Sequence, residues 1–278
     1  MALSSTSSST AMTHRFLGNS GLLVSKLSLG SWVDYNDKYT VDGWYDMMKI
    51  AFEHDVNFYD TAEMYGNGQA EELLGGAIKK GIKEGLFTGT KGVMQGGPND
   101  EGVSRKHIVE GLKASLRRLE LDYVDVVFCH RFDAYTPIEE TSQYNILERN
   151  KVEFECLDLY KNAGKPEGSR YTTSMFATGP FSEGFAERVE MADRLVPIAK
   201  ELGTSLAQMS IAWAVSNENV STVLLGASRP AQLEENLKAL EVVSKITPEV
   251  KAKINAAVKF VPTEPKLDQF AHSRGRHL

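Results

Sequence analysis

Asn57-Phe58-Tyr59-Asp60-Thr61-Ala62-Glu63-Met64-Tyr65-Gly66 decides how the rest of this 278-residue chain is read. A short apolar strand, Val56–Tyr59, ends in a carboxylate, and a turn brings a phenol round five residues later. In a barrel of parallel strands, strand C-termini and the loops after them face the reaction site. Asp60 and Tyr65 then stand where chemistry is done. A plainer reading has Asp60 capping a helix through Thr61–Tyr65, with Tyr65 a half-buried ring. The decapeptide alone leaves both open.

Its flanks favour alternation of strand and helix. Upstream, Val41–His54 carries Trp44, Met47, Met48, Ala51 and Phe52 at helical spacing. Before it, Lys26–Leu29 reads as a strand closing in Gly30-Ser31-Trp32. Earlier still, a Gly18-Asn19-Ser20-Gly21 turn between apolar runs signals a β-hairpin. Downstream, Leu73, Leu74, Ala77 and Ile78 mark a helix, and Leu86–Thr90 is a strand delivering Lys91. Ser104 is the N-cap of a helix striped by Ile108, Leu112, Leu116 and Leu119. Tyr123–Cys129 is a nearly unbroken apolar strand ending at His130, as expected where helices cover both sides. Parallel βα units account for this half.

The middle is irregular. Only 12 residues separate His130 from Gln143, against the roughly 30 that a βαβ unit needs. A helix-like segment from Leu147 to about Asn162 runs straight into Gly164–Arg170 with no strand between. Regularity returns with helices over Phe185–Leu202, where Pro197 is a potential kink, and over Ser205–Ser216. A strand, Thr222–Leu225, then leads through Gly226-Ala227-Ser228-Arg229 to a helix with Pro230 in its first turn, bearing Ala231, Leu233, Leu237 and Leu240. Thr247–Phe260 is a final amphipathic helix.

Composition narrows the class. Apolar residues make up 42% and charged residues 24%, ordinary for a soluble globular domain. A net charge of −6 gives no reason to expect nucleic acid or an anionic membrane as partner. Two cysteines, Cys129 and Cys156, suit a reducing cytosol, and six scattered histidines give no metal-ligand spacing. No apolar run approaches the ~20 residues that cross a bilayer. Residues 1–13 read as a disordered tail without a secretory signal, 14–262 as one domain, and 263–278 as a flexible tail. A cytoplasmic protein is expected.

Asp60, Tyr65, Lys91 and His130 stand at or just after successive strand ends, which would converge them on one mouth. Singly, each has a bland explanation: a solvated lysine, a satisfied histidine. Their types suit one task together. A tyrosine donates a proton near neutral pH only if its pKa falls far below ~10. A nearby ammonium favours the phenolate, and a carboxylate keeps that ammonium charged and in place. Histidine can orient a carbonyl by hydrogen bonding. Such a set protonates a carbonyl oxygen while a hydride arrives at carbon, and only a cofactor supplies the hydride. The Gly226–Arg229 turn before a helix N-terminus is suited to phosphate, and Arg229 could add a contact favouring NADP over NAD. Taken alone, Gly-Ala-Ser-Arg is a weak motif, and an ordinary turn with a surface arginine is the better explanation of it.

Arg15–Gly30, the Asp60…Tyr65 loop, Lys91, Gly102–His130 and Ser221–Asn236 together resemble the aldo-keto reductase superfamily. Ser104-Arg105-Lys106-His107-Ile108, Gln143–Lys151 and Gly168-Ser169-Arg170 resemble its branch of voltage-gated potassium-channel β subunits and their reductase relatives. The likeness spans most of residues 14–262, in blocks. It implies an α/β fold, a (β/α)8 TIM barrel with an N-terminal hairpin plugging the bottom. It also implies NADP(H) as cofactor and a small carbonyl compound as substrate. By the same likeness Tyr65 is the acid, Lys91 and Asp60 tune it, and His130 orients the carbonyl. Channel-associated animal members have Asn where His130 stands. Ser31 and Trp32 match positions beside the nicotinamide, and Arg170 one on the cofactor phosphates. Gly226, Ser228, Gln232, Glu235 and Asn236 match the adenosine 2′-phosphate end, with Arg229 beside them.

Two blocks of the family pattern are absent. After Thr141 the chain jumps past the strand 5 region to Ser142-Gln143-Tyr144, and after Gly164 the strand 7 region is missing. Losing staves from a closed barrel leaves open strand edges and removes groups that hold the nicotinamide and pyrophosphate. The resemblance therefore implies an incomplete barrel. Three functions fit it: a carbonyl reductase, a channel-β-type auxiliary subunit that forms a tetramer, and a truncated inactive member.

Overall fold

The computed structural model describes residues 12–18, 21–32, 39–84, 105–127 and 185–258. The chain opens with an antiparallel hairpin, β1 (His14–Phe16) and β2 (Leu23–Ser25), with His14 opposite Ser25 and Phe16 opposite Leu23. Leu17 N–H donates to Leu22 O at 2.8 Å to close it, as the turn residues predict.

Three parallel strands follow: β3 (Leu27–Gly30), β4 (Tyr59–Asp60) and β5 (Val223–Leu225), in the order β4-β3-β5. The first of these strands thus lies beside the last, nearly two hundred residues on, with Leu27 opposite Val223 and Leu29 opposite Leu225. The hairpin is stitched to the N-terminal ends of these strands. Asn57 Oδ1 accepts from Ser25 N–H at 2.8 Å, and the Arg15 guanidinium donates to Asn217 O at 2.7 Å and Val220 O at 2.5 Å. The opposite, C-terminal ends are left clear of it.

Helix α1 (Val41–Glu53) starts where Thr40 Oγ1 accepts from Gly43 N–H at 3.1 Å, a normal N-cap. It buries Trp44, Met47, Met48 and Ala51 as its periodicity predicts. Phe52, expected on that face, is 41% exposed. Tyr45 is buried in its stead: α2 (Gln69–Lys83) lays the Lys80 ammonium 4.3 Å over its ring, and Glu84 accepts from its hydroxyl. Leu74, Ala77 and Ile78 of α2 join Leu27, Leu29, Trp44, Met48 and Leu119 in the main core.

Helix α3 (Arg105–Arg118) meets α2 so closely that Gly75 has no room for a side chain. A Cβ there would lie 2.5 Å from Leu119 O and 2.7 Å from its Cα. Gly75→Ala accordingly costs about 1–3 kcal/mol of overpacking, despite the ~1 kcal/mol helix-propensity gain over glycine. A urea midpoint equal to or above that of the unmutated chain would refute this close contact.

The rest of the described fold is α4 (Phe185–Glu201), α5 (Leu206–Val215), α6 (Pro230–Leu237) and α7 (Pro248–Val258), with a 3-10 segment, Lys238–Lys245, after α6. Pro197 lies inside α4. Ser205 and Gln208 form a reciprocal capping box at the start of α5. Leu195, Ile198, Leu206, Met209 and Ile254 make a second apolar cluster.

Two expectations are corrected. The strand through Val56–Tyr59 is only Tyr59–Asp60. Within Tyr123–Cys129, residues 123–127 form no strand, and Tyr123 and Val127 are 58% and 46% exposed. An apolar run becomes a strand only where neighbours take up its N–H and C=O groups, and among the described residues no strand pairs with it. The strand through Leu86–Thr90, the N-cap Ser104 and the segment from Leu147 to Asn162 lie outside the described residues. The fold seen is a helix-rich α/β arrangement around parallel strands.

Candidate active site

The three parallel strands end together. Gly30 lies opposite Asp60, and Ser31 N–H donates to Asp60 O at 3.0 Å, so the exits of β3 and β4 are fastened side by side. Leu225 pairs with Leu29, which brings Gly226 to the same end from the other flank. Side chains alternate along a strand. The Tyr59 hydroxyl donates to Val56 O at 3.2 Å, with burial pushing its pKa up, and the adjacent Asp60 points the other way. Burial pushes the Asp60 carboxyl up to about 6. Next to it, Thr61 Oγ1 is buried with no hydrogen-bond partner among the described residues.

Thr61 and Ala62 are not helical, so Asp60 caps no helix through Thr61–Tyr65; the other half of the plainer reading holds, since Tyr65 is half-buried. The chain instead turns tightly, with Tyr65 N–H donating to Ala62 O at 3.0 Å, and enters a 3-10 segment, Tyr65–Gly68. The turn carries the Tyr65 ring back over the strand exits. It stacks on Trp32, with centroids 6.1 Å apart and planes 23° from parallel. Ser31, next to Trp32 in the chain, is buried. Asp60, Tyr65, Ser31 and Trp32 are therefore gathered at one end of the sheet. Lys91, His130 and Arg170 lie outside the described residues.

On the other flank, Gly226 is open: a Cβ built on it would meet no atom within 4 Å. Ser228 N–H and Oγ both face Gln232 Oε1, at 2.9 and 3.2 Å. Arg229 is the extended residue before α6, and Pro230 opens the helix. Ser228, Arg229 and Glu235 are exposed, while Asn236 is 2% exposed on the inner face of α6. The peptide oxygen of Glu235 accepts from Gln208 Nε2 at 3.1 Å, tying α6 to α5. An exposed turn with one arginine, a hydroxyl and a clear glycine at a helix N-terminus fits a phosphate group.

Residue spacing overlooked a charged group beneath the site. Glu71 is fully buried in α2, bonded to Ser115 and Arg118 of α3. Its signal lay in the sequence, as an acid in register with Leu74 and Ile78 on the apolar face of the helix. Among the described residues no group of His, Cys, Asp and Glu could hold a metal ion, and no helix is long and apolar enough to cross a membrane.

The sequence profile of the aldo/keto reductase family matches residues 26–165 and 160–259. A protein of Arabidopsis thaliana named as a probable voltage-gated potassium channel subunit beta is 38% identical over 325 positions, covering 92% of this chain and 99% of its own. One of Oryza sativa subsp. japonica with the same name is also 38% identical, covering 90% and 98%. One of Schizosaccharomyces pombe, named as a putative subunit of that kind, is 34% identical, covering 90% and 94%. Since 92% of 278 residues is about 256, about 70 of the 325 positions in the Arabidopsis alignment stand opposite no residue of this chain.

Proposed function

Because the chain belongs to the aldo/keto reductase family, we propose that it reduces an aldehyde or ketone to the alcohol with NADPH. The observation that carries this reading is the meeting of Asp60, Tyr65 and Trp32 at the C-terminal ends of adjacent parallel strands. Tyr65 donates the proton to the carbonyl oxygen. Lys91 and Asp60 lower its pKa by placing an ammonium, held by a carboxylate, near the phenol. His130 hydrogen-bonds the carbonyl and fixes its approach. Trp32 walls the site, excluding water from the face where carbon is attacked.

NADPH, when bound, supplies the hydride. Ser31 and Trp32 hold its nicotinamide end and Arg170 its phosphates. Gly226, Ser228, Arg229, Gln232, Glu235 and Asn236 hold the adenosine 2′-phosphate, and Gln232 releases Ser228 N–H to it. The domain, residues 14–262, is a (β/α)8 barrel lacking its strand 5 and strand 7 regions. Both the profile match in two stretches and the roughly 70 unmatched positions support this. The protein works in the cytoplasm, as a homotetramer.

A second reading is favoured by the names of the relatives: an auxiliary subunit that binds a potassium channel. Fluorescence titration of the purified chain with NADPH, and with NADH in parallel, tests the reductase reading, and turnover of an aldehyde separates it from the subunit reading. Saturable binding with a preference for NADPH is expected. Folded, soluble protein that binds neither dinucleotide overturns the reductase reading and leaves the subunit.

A further inference from the structure

After Tyr65 three residues in succession have positive φ: Gly66 at 59°, Asn67 at 54° and Gly68 at 92°. Glycine tolerates this, but asparagine does so only at some cost, and such a turn persists only when its surroundings over-determine it. Besides backbone bonds such as Asn67 N–H to Met64 O, one side chain of α3 belongs to these surroundings. A Cβ on Gly68 would lie 2.9 Å from Arg118 Cδ and 3.0 Å from Nε, so the arginine stem is laid against the turn itself. The same Nε donates to Glu71 Oε2 at 2.6 Å, and Ser115 Oγ donates to Glu71 Oε1 at 2.5 Å. A carboxylate without exposed surface persists in a core only when both oxygens are bonded. Among the described residues, Glu71 meets that condition through Ser115 and Arg118 of α3.

We infer that Glu71 and Arg118 are positioning residues for Tyr65, clamping the left-handed turn Gly66–Gly68 to α3 and so fixing where the phenol stands. The inference rests on the proposed role of Tyr65, but the clamp is measurable without turnover. Burial pushes Glu71 up to about 7, against the pull of Arg118, and the carboxylates of Glu63 and Glu72 add to the rise. Its bond to Arg118 is therefore charge-assisted above pH 7 and weaker below it.

Hydrogen exchange of amides 62–68 on the full chain, read by mass spectrometry against amides 206–215 of α5, tests the clamp. Arg118→Met is expected to speed exchange in 62–68 about tenfold and leave 206–215 unchanged. In the unmutated chain, lowering the pH from 8 to 6 speeds 62–68 after correction for intrinsic rates. Glu71→Gln, neutral throughout, removes that response while keeping whatever part Asp60 contributes. A uniform rise in both segments, or no rise in 62–68, overturns the inference. Should Arg118→Met fail to fold, the pH comparison of Glu71→Gln with the unmutated chain decides alone. A chain that exchanges as expected yet reduces no aldehyde sinks the reductase reading and leaves the clamp standing.

Discussion

Tyr65→Phe lowers the rate of carbonyl reduction by about 10²–10⁴-fold, the usual worth of a positioned general acid, and leaves NADPH affinity within about twofold. The substitution removes one oxygen and keeps the ring. Phenylalanine can stack on Trp32 as tyrosine does, at 6.1 Å between centroids, so the wall of the site survives. The turn survives too, because its bonds are made by backbone: Tyr65 N–H to Ala62 O at 3.0 Å, and Asn67 N–H to Met64 O at 3.4 Å. What is lost is the only proton the proposal assigns to the carbonyl oxygen. The loss should fall on kcat, since an interaction made in the transition state alone does not alter ground-state binding. Steady-state rates with an aromatic aldehyde, together with dinucleotide affinity by fluorescence, check both halves. Undiminished turnover removes Tyr65 from its role.

How far the sequence carried the reading depended on where the physical cause lay. Local causes were legible. A Gly-Asn-Ser-Gly turn between apolar runs gave the hairpin, apolar spacing gave the helix over Val41–His54, Ser205 opened its helix, and Pro230 entered the first turn of α6. Causes that lie across the fold were not. Phe52 and Tyr45 stand near the same edge of α1, and only the approach of Lys80 and Glu84 from α2 decides that Tyr45 is covered. The apolar run through Tyr123 and Val127 has strand composition, but pairing belongs to the neighbours of a strand, not to its residues. Of the expected stripe Ile108, Leu112, Leu116 and Leu119, only Leu119 is fully buried; the buried line reaches it through Gly111 and Ser115 of α3, because Ser115 answers a carboxylate on another helix. At the site, strand-end placement brought Asp60 and Tyr65 together as spacing implied. The stacking of Tyr65 on Trp32, 33 positions apart, had no local signal.

Asp60→Asn is expected to stabilise the chain at neutral pH while, on the role proposed for Asp60, reducing catalysis, since it removes a carboxylate whose charge burial disfavours. The sign follows from the direction of the shift. Burial raises the carboxyl from 3.8 to about 6 in the folded chain. Between those values the folded state holds a proton that the unfolded state has released. Stability therefore falls as pH rises through this window, and the full cost is present above pH 6. A shift of about two units corresponds to roughly 3 kcal/mol, an upper bound because the ammonium that the proposed mechanism assigns to Lys91 would offset part of it. Asparagine keeps the shape, and the peptide oxygen that accepts from Ser31 N–H is untouched, so the fastening of β3 to β4 remains. Urea unfolding at pH 4 and pH 7.5 supplies the test. The variant should gain at pH 7.5 and lose the downward slope between the two. A loss of stability at pH 7.5 means instead that an opposite charge repays the whole cost of burying Asp60.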